Sequence, residues 1–287
     1  MAPTIIPHAE IREKYFFTSI LPTPWCPGCG NGSMGHALLQ AIHRIGWDPK
    51  KIVLISGIGC NGYLTRFLRF DDLHALHGRT PAMATGLKMA RPELKIIAIQ
   101  GDGDAAAIGG NHLIHAARRN IGITTIISNN YTYGRTGGQY GPTTPKGGLS
   151  TTSPFGLEEP PFDLCNLMVA AGANFVARGT AYHVLQLIDL IERGLTHPGF
   201  SLIEVITQCP TSYGRKNPGK GMNGPEMLLW QKENAVAVEK AAEMTEEALR
   251  GKIVTGVFMD RNRPEYSAEY EKIRQRAQKG AGREERN

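Results

Sequence analysis

The sequence predicts an α/β protein built on a doubly wound parallel sheet. Three observations carry that reading. Strand-sized apolar runs rich in β-branched residues recur between turn residues. Patterns of helical period alternate with them. Glycine-rich turns follow several of the runs, at what would be the carboxyl ends of parallel strands.

The runs are residues 51–56 (KIVLIS), 95–100 (KIIAIQ), 123–128 (ITTIIS), 174–178 and 200–206 (FSLIEVI). Their near-continuous apolarity suits strands covered on both faces. Between them, Met34, Ala37, Leu38 and Ile42 share one helical face, and so do Met83, Leu87 and Ala90 before Pro92. Residues 105–119 and 181–194 are further helix candidates. Two long stretches rich in Gly, Thr and Pro, 134–161 and 207–225, break the rhythm, as functional loops do. A long helix is expected from Pro225 to about residue 250, then a short apolar run (KIVTGVF) and a basic tail. The chain thus divides into residues 1–225 and a helical extension, 226–287.

Composition excludes several classes. The chain has 287 residues, 41% of them hydrophobic, and a net charge of +6. No apolar run approaches the roughly 20 residues a bilayer span requires. The amino terminus has no basic start followed by an apolar stretch, so a cytoplasmic protein without membrane contact is expected. The basic residues near the carboxyl terminus lack interleaved aromatics, so no nucleic-acid partner is expected. Five cysteines in a chain of this length do not read as disulfide staples. Four sit beside Gly or Pro: Cys26, Cys29, Cys60 and Cys209. The fifth, Cys165, lies in an apolar stretch and reads as a small core residue.

The motif SGIGCNG (56–62) spells G-x-G-x-x-G after a strand. Bulky residues follow it, and no acidic residue stands at the ribose-binding distance, which argues against a dinucleotide fingerprint. The motif GDGD (101–104) ends the next run and opens a helix of small residues. Glycines there expose backbone N–H groups to phosphate, and Asp102 offers a hard oxygen ligand for Mg²⁺. The following run ends in Asn129-Asn130-Tyr131-Thr132, one strand–helix–strand unit later. Adjacent parallel strands would set Asn130 beside Asp102, so that carboxylate, amide and a nearby carbonyl form a Mg²⁺–diphosphate clamp. The cysteines leave alternatives open: C-P-G-C could be a redox dithiol, half a zinc site or half an iron–sulfur site. A dithiol leaves Cys60 and Cys209 unexplained, and structural zinc usually takes two close-spaced pairs. Four thiolates from three loops suit a 4Fe–4S cluster. His112 and His115 read as helix-face packing.

GDG followed by Asn at this spacing resembles the thiamine-diphosphate motif. Together with WCPGCGNG, SGIGCNG, HGRTPAMATGLKMARP, GDGDAAAIGGNHLIHAARRN, YGRTGGQYGPTTPKG and QCPTS, it resembles the β subunit of 2-oxoacid:ferredoxin oxidoreductases, most of all the 2-oxoglutarate type. The likeness runs from about residue 24 to 219. It implies the thiamine-diphosphate-binding (pyrophosphate-domain) fold for 1–225. The cofactor would meet Ile58, Gly59, Cys60, Asn61, Gly101, Gly103, Asp104, Gly134 and Arg135. Mg²⁺ would be held by Asp102, Asn130 and Thr132, and the 4Fe–4S cluster by Cys26, Cys29, Cys60 and Cys209.

The implied reaction is coenzyme A-dependent oxidative decarboxylation of a 2-oxoacid to acyl-CoA, CO₂ and reduced ferredoxin, reversible as a synthase. The activating Glu of thiamine enzymes has no place in the chain. It is therefore expected from a partner α subunit, in an (αβ)₂ assembly. Two positions depart from the family pattern: Tyr63 replaces a basic residue, and Thr136-Gly137-Gly138 lacks the Lys of T-K-G. Substrate-binding candidates are Tyr63, Arg66, Arg79 and Arg135, with His77 and Arg79 as active-site wall. Rival readings are a pyruvate enzyme, a thiamine decarboxylase half with structural zinc, and a non-catalytic electron-transfer subunit.

Overall fold

The structure is a computed structural model that describes residues 5–284. Its helices are α1 (His8–Tyr15), α2 (Asn31–Ile45), α3 (Thr80–Ala90), α4 (Gly110–Arg119), α5 (Leu164–Ala171), α6 (Val184–Thr196), α7 (Gly224–Asn234), α8 (Val238–Ala241), α9 (Glu246–Leu249) and α10 (Tyr266–Glu284). Its strands are β1 (Ile52–Ser56), β2 (Asp71–His74), β3 (Lys95–Gly101), β4 (Ile123–Asn129), β5 (Thr132–Tyr133), β6 (Gln139–Tyr140), β7 (Phe175–Thr180), β8 (Ser201–Ile206), β9 (Ala235–Ala237) and β10 (Ile253–Asp260).

Eight strands form one sheet in the order β2-β1-β3-β4-β8-β7-β10-β9. The first six are mutually parallel, and β10 runs antiparallel to β7. Two apolar layers flank the sheet. Met34, Leu38 and Ile42 of α2 pack with Leu187, Ile188 and Ile191 of α6 on one face. Ala84 of α3, Leu113 of α4 and Met168 of α5 cover the other. Burial of every residue of β1, β4 and β8 accounts for their near-continuous apolarity. The doubly wound α/β reading therefore holds.

Three expectations change. The helix read from 105 to 119 is interrupted. Residues Gly103–Ile108 form a π-helical turn, and α4 starts only at Gly110. Gly109 N–H donates to the Asp104 carbonyl at 2.9 Å, five residues back, and a Cβ on Gly109 would crowd that carbonyl and Gly78. One extra residue in the turn lets the chain stay close to Gly78. The long helix expected after Pro225 ends at Asn234, where the run Ala235-Val236-Ala237 pairs as β9 with β10. Strand β10 in turn joins the main sheet through β7, so the stretch after 225 carries strands as well as helices. Strand β2 (DDLH) was not anticipated. All four of its residues are exposed, so it has no apolar signature and exists through pairing with β1. Among the described residues no helix is long and apolar enough to cross a membrane. The last residues of the basic tail, 285–287, lie outside the described residues.

Candidate active site

Parallel pairing brings the carboxyl ends of β1, β3, β4 and β8 to one edge of the sheet, and the glycine turns follow there. A cleft at this edge is lined by Ile58, Gly59, Cys60 and Asn61 after β1, by Gly101 to Asp104 after β3, and by Asn130 and Thr132 to Thr136 after β4, with His77 from a neighbouring loop. The positions predicted to meet the cofactor and the metal thus converge on one cleft.

Asp102 is 2% exposed. Burial pushes its carboxyl up to about 6, against the Thr143 hydroxyl and backbone N–H groups that favour the anion. The Thr143 hydroxyl donates to Asp102 Oδ2 at 2.6 Å, and no cation faces the carboxylate within salt-bridge range among the described residues. Asn130 Oδ1 accepts from Thr132 N–H at 3.2 Å, closing an Asx turn over Tyr131, which adopts φ +63°. Gly103 permits the approach of Tyr133, whose ring a Cβ there would overlap. Asn61 Nδ2 is buried without a partner beside the cleft, a free donor for an anionic group. A buried, cation-free carboxylate, a nearby amide oxygen and an orphan donor fit a metal-bound diphosphate.

Asp104, expected to meet the cofactor, lines the cleft with both carboxylate oxygens already accepting hydrogen bonds. Its Oδ1 accepts from His77 Nδ1 at 2.6 Å, Gly78 N–H at 2.8 Å and Ile58 N–H at 3.3 Å. Its Oδ2 accepts from Gln100 Nε2 at 2.8 Å. It is a strut that pins the β1 turn and the His77 loop to the start of the π-helical turn.

The three cysteine loops are tied to one another. Gly30 N–H donates to the Gln208 carbonyl at 3.0 Å, and Trp25 Nε1 donates to the Cys60 carbonyl at 2.6 Å. A Cβ on Gly30 would strike Gln208 and Thr207, so glycine lets the C-P-G-C loop lie against the segment before Cys209. The thiols of Cys26, Cys60 and Cys209 each add to the rise in the Cys29 value, which burial chiefly pushes up to about 12. Cys60 and Cys209 are raised too, again mainly by burial. Among the described residues, no three His, Cys, Asp or Glu side chains are gathered as ligands of a single metal ion. Cys165 lies apart and fully buried, its thiol donating to Glu204 Oε2 at 3.4 Å.

A second cavity shares Ile58, Gly59 and Arg135 with the cleft and is further lined by Tyr63, Arg66 and His74. Arg135 Nη2 donates to the Tyr63 hydroxyl at 2.6 Å and its guanidinium lies 4.8 Å from that ring's centroid. Arg79 is not part of it: its guanidinium reaches the Ile108 carbonyl at 3.4 Å. His112 and His115 do not line either cavity. Sequence reasoning did not single out Thr143, which sits in a long loop with no periodic signal, or Glu204, which sits inside a strand-like run.

The family model for the thiamine pyrophosphate enzyme C-terminal TPP binding domain matches residues 48–205, from just before β1 to near the end of β8. The 2-oxoglutarate synthase subunit KorB of Methanocaldococcus jannaschii is 46% identical over 91% of this chain and 96% of its own. The chain belongs to the KorB family. Its KorB relative from Archaeoglobus fulgidus is 43% identical over 94% of this chain and 97% of its own. Among solved structures, a 2-oxoglutarate:ferredoxin oxidoreductase from Magnetococcus marinus, with 2-oxoglutarate, coenzyme A and succinyl-CoA bound, superposes with a TM-score of 0.81. It is 32% identical, over 93% of this chain and 90% of that one. As a KorB family member, the chain has the expected thiamine-binding fold.

Proposed function

We propose that this chain is the β subunit of a coenzyme A-acylating 2-oxoacid:ferredoxin oxidoreductase that acts on 2-oxoglutarate. The observation that carries this reading is the cleft in which Gly101-Asp102-Gly103 and Asn130 meet beside the Cys60 turn. Its KorB relatives and the Magnetococcus structure support the choice of substrate.

Asp102, Asn130 Oδ1 and the Thr132 carbonyl would hold Mg²⁺, a hard cation that takes few protein oxygens beside those of a diphosphate. Asn61 Nδ2 would donate to the diphosphate. Thiamine diphosphate, when bound, supplies the electron sink for loss of CO₂. Asp104 keeps the Ile58 turn and His77 in place around it. Cys26, Cys29, Cys60 and Cys209 would hold the 4Fe–4S cluster. Cys60 shares its turn with Ile58 and Asn61, so the group it holds lies next to the cofactor cleft. Arg66 and Arg135, with no carboxylate in salt-bridge range among the described residues, offer cations for the distal carboxylate of the substrate.

The activating Glu would come from a partner α subunit, in an (αβ)₂ assembly. Ferredoxin would take the electrons. The test is a substrate panel on the assembled complex, reading viologen reduction with coenzyme A present. Faster turnover of 2-oxoglutarate than of pyruvate supports the reading. A preference for pyruvate overturns the substrate, and a colourless, zinc-loaded protein overturns the cluster.

A further inference from the structure

We infer that Glu204 is a positioning residue for the metal clamp, acting through Asn129 on its Asn130–Thr132 arm. The inference rests on the reading of Asp102, Asn130 and Thr132 given above.

Glu204 sits in β8, 1% exposed, directly opposite Arg178 in the β7 register and diagonal to Asn129 on β4. Its Oε2 accepts from Arg178 Nε at 2.7 Å, and its Oε1 accepts from Asn129 Nδ2 at 2.6 Å. An ionised carboxylate only accepts, so it dictates which end of the Asn129 amide faces it. Asn129 Oδ1 is thereby turned the other way, where it accepts from Tyr131 N–H at 3.2 Å.

That contact leads to one arm of the clamp. Tyr131 N–H anchored on Asn129 holds the residue at φ +63°, which sets where Asn130 and the Thr132 carbonyl lie. The other arm is held separately, since the single proton of the Thr143 hydroxyl goes to Asp102 Oδ2 at 2.6 Å. With the Asn129 amide reversed, an NH₂ group would confront Tyr131 N–H, and the turn would lose its acceptor. A buried ion pair is weak evidence of a stability role, since an apolar pair of similar volume is often as stable. Orienting an amide is something an apolar pair cannot do.

The test uses the assembled complex with thiamine diphosphate and Mn²⁺ in place of Mg²⁺, free Mn²⁺ being followed by its electron paramagnetic resonance signal. Glu204→Gln is expected to weaken Mn²⁺ binding about tenfold, the usual scale for a group behind a metal ligand. The double variant Glu204→Gln/Asn129→Asp exchanges donor and acceptor. The new carboxylate accepts from the new amide and still accepts from Tyr131 N–H. It is expected to restore affinity to within about threefold of wild type. Asn129→Ala leaves the Glu204–Arg178 pair intact, removes the acceptor of Tyr131 N–H and is expected to weaken binding to a similar degree, which keeps the inference testable should Glu204→Gln not fold. Wild-type affinity in Glu204→Gln or in Asn129→Ala overturns it, as does a folded double variant no better than the single. A wild-type complex that holds no Mn²⁺ overturns the functional reading, and this inference with it.

Discussion

His77 Nδ1 lies 2.6 Å from Asp104 Oδ1, and the carboxylate is almost wholly buried while the ring lines the cleft. Four donors from three segments converge on Asp104: His77, Gly78, Ile58 and Gln100. Asp104→Asn turns an NH₂ group toward donors it cannot satisfy. A loss of about 2 kcal/mol is expected from leaving buried donors unpaired, read as a lower melting temperature of the assembled enzyme.

Gly103 is where Tyr133 passes closest to the chain. Gly103→Ala forces that ring or the β3 turn to move. The thiamine diphosphate concentration needed for half-maximal activity should rise by about tenfold, on the scale at which small misplacements act. An unchanged value would show that the turn adapts.

The proposed cluster predicts that the cysteines separate by iron content. Serine at Cys26, Cys29, Cys60 or Cys209 should each remove iron and the visible absorbance of an anaerobic preparation, because each would take one thiolate from the proposed all-Cys set. Cys165→Ala should keep both, since that thiol is buried against Glu204, away from the loops.

Arg135 is oriented by Tyr63 beside the cleft. Arg135→Gln is expected to raise the KM for 2-oxoglutarate by about tenfold and to leave that for pyruvate nearly unchanged, because only the dicarboxylate loses a charge-assisted partner. Equal effects on the two acids would place Arg135 outside the substrate site.

Acid sensitivity should trace in part to His36. Burial, and then neighbouring His8, hold it below its usual value of 6.5. Gln40 Nε2 lies 3.2 Å from His36 Nε2 and also donates to the Ile6 carbonyl, so the neutral ring is the form that accepts from it. The native state therefore takes this proton less readily than the unfolded chain. Its contribution is present above about pH 6.5 and is lost as pH falls below that value. Denaturant midpoints at pH 7.5 and 5.5 should converge in His36→Gln.

Much of the fold was legible because its signals are local. Continuous β-branched runs report strands buried on both faces, and five of the six parallel strands carry that mark. The sixth, β2, is polar and exposed throughout, so only its pairing with β1 makes it a strand. The helix after GDGD looked continuous because its composition favours helix. Close approach to Gly78 inserted a π-helical turn that no propensity encodes.

The site divides along the same line. By itself the sequence determined the motifs, Gly101-Asp102-Gly103 and Asn130 one strand unit apart. It also determined that four cysteines lie in loops and one in the core, because residue type and spacing carry that information. Tertiary structure alone decided that Asp104 gathers four donors from three segments, that Arg79 stands apart from Arg135, and that Glu204 lies behind Asn129 and Thr143 behind Asp102. Those assignments depend on contacts between residues 27 to 75 positions apart in the chain, and on the direction of individual hydrogen bonds. No period in the sequence records either.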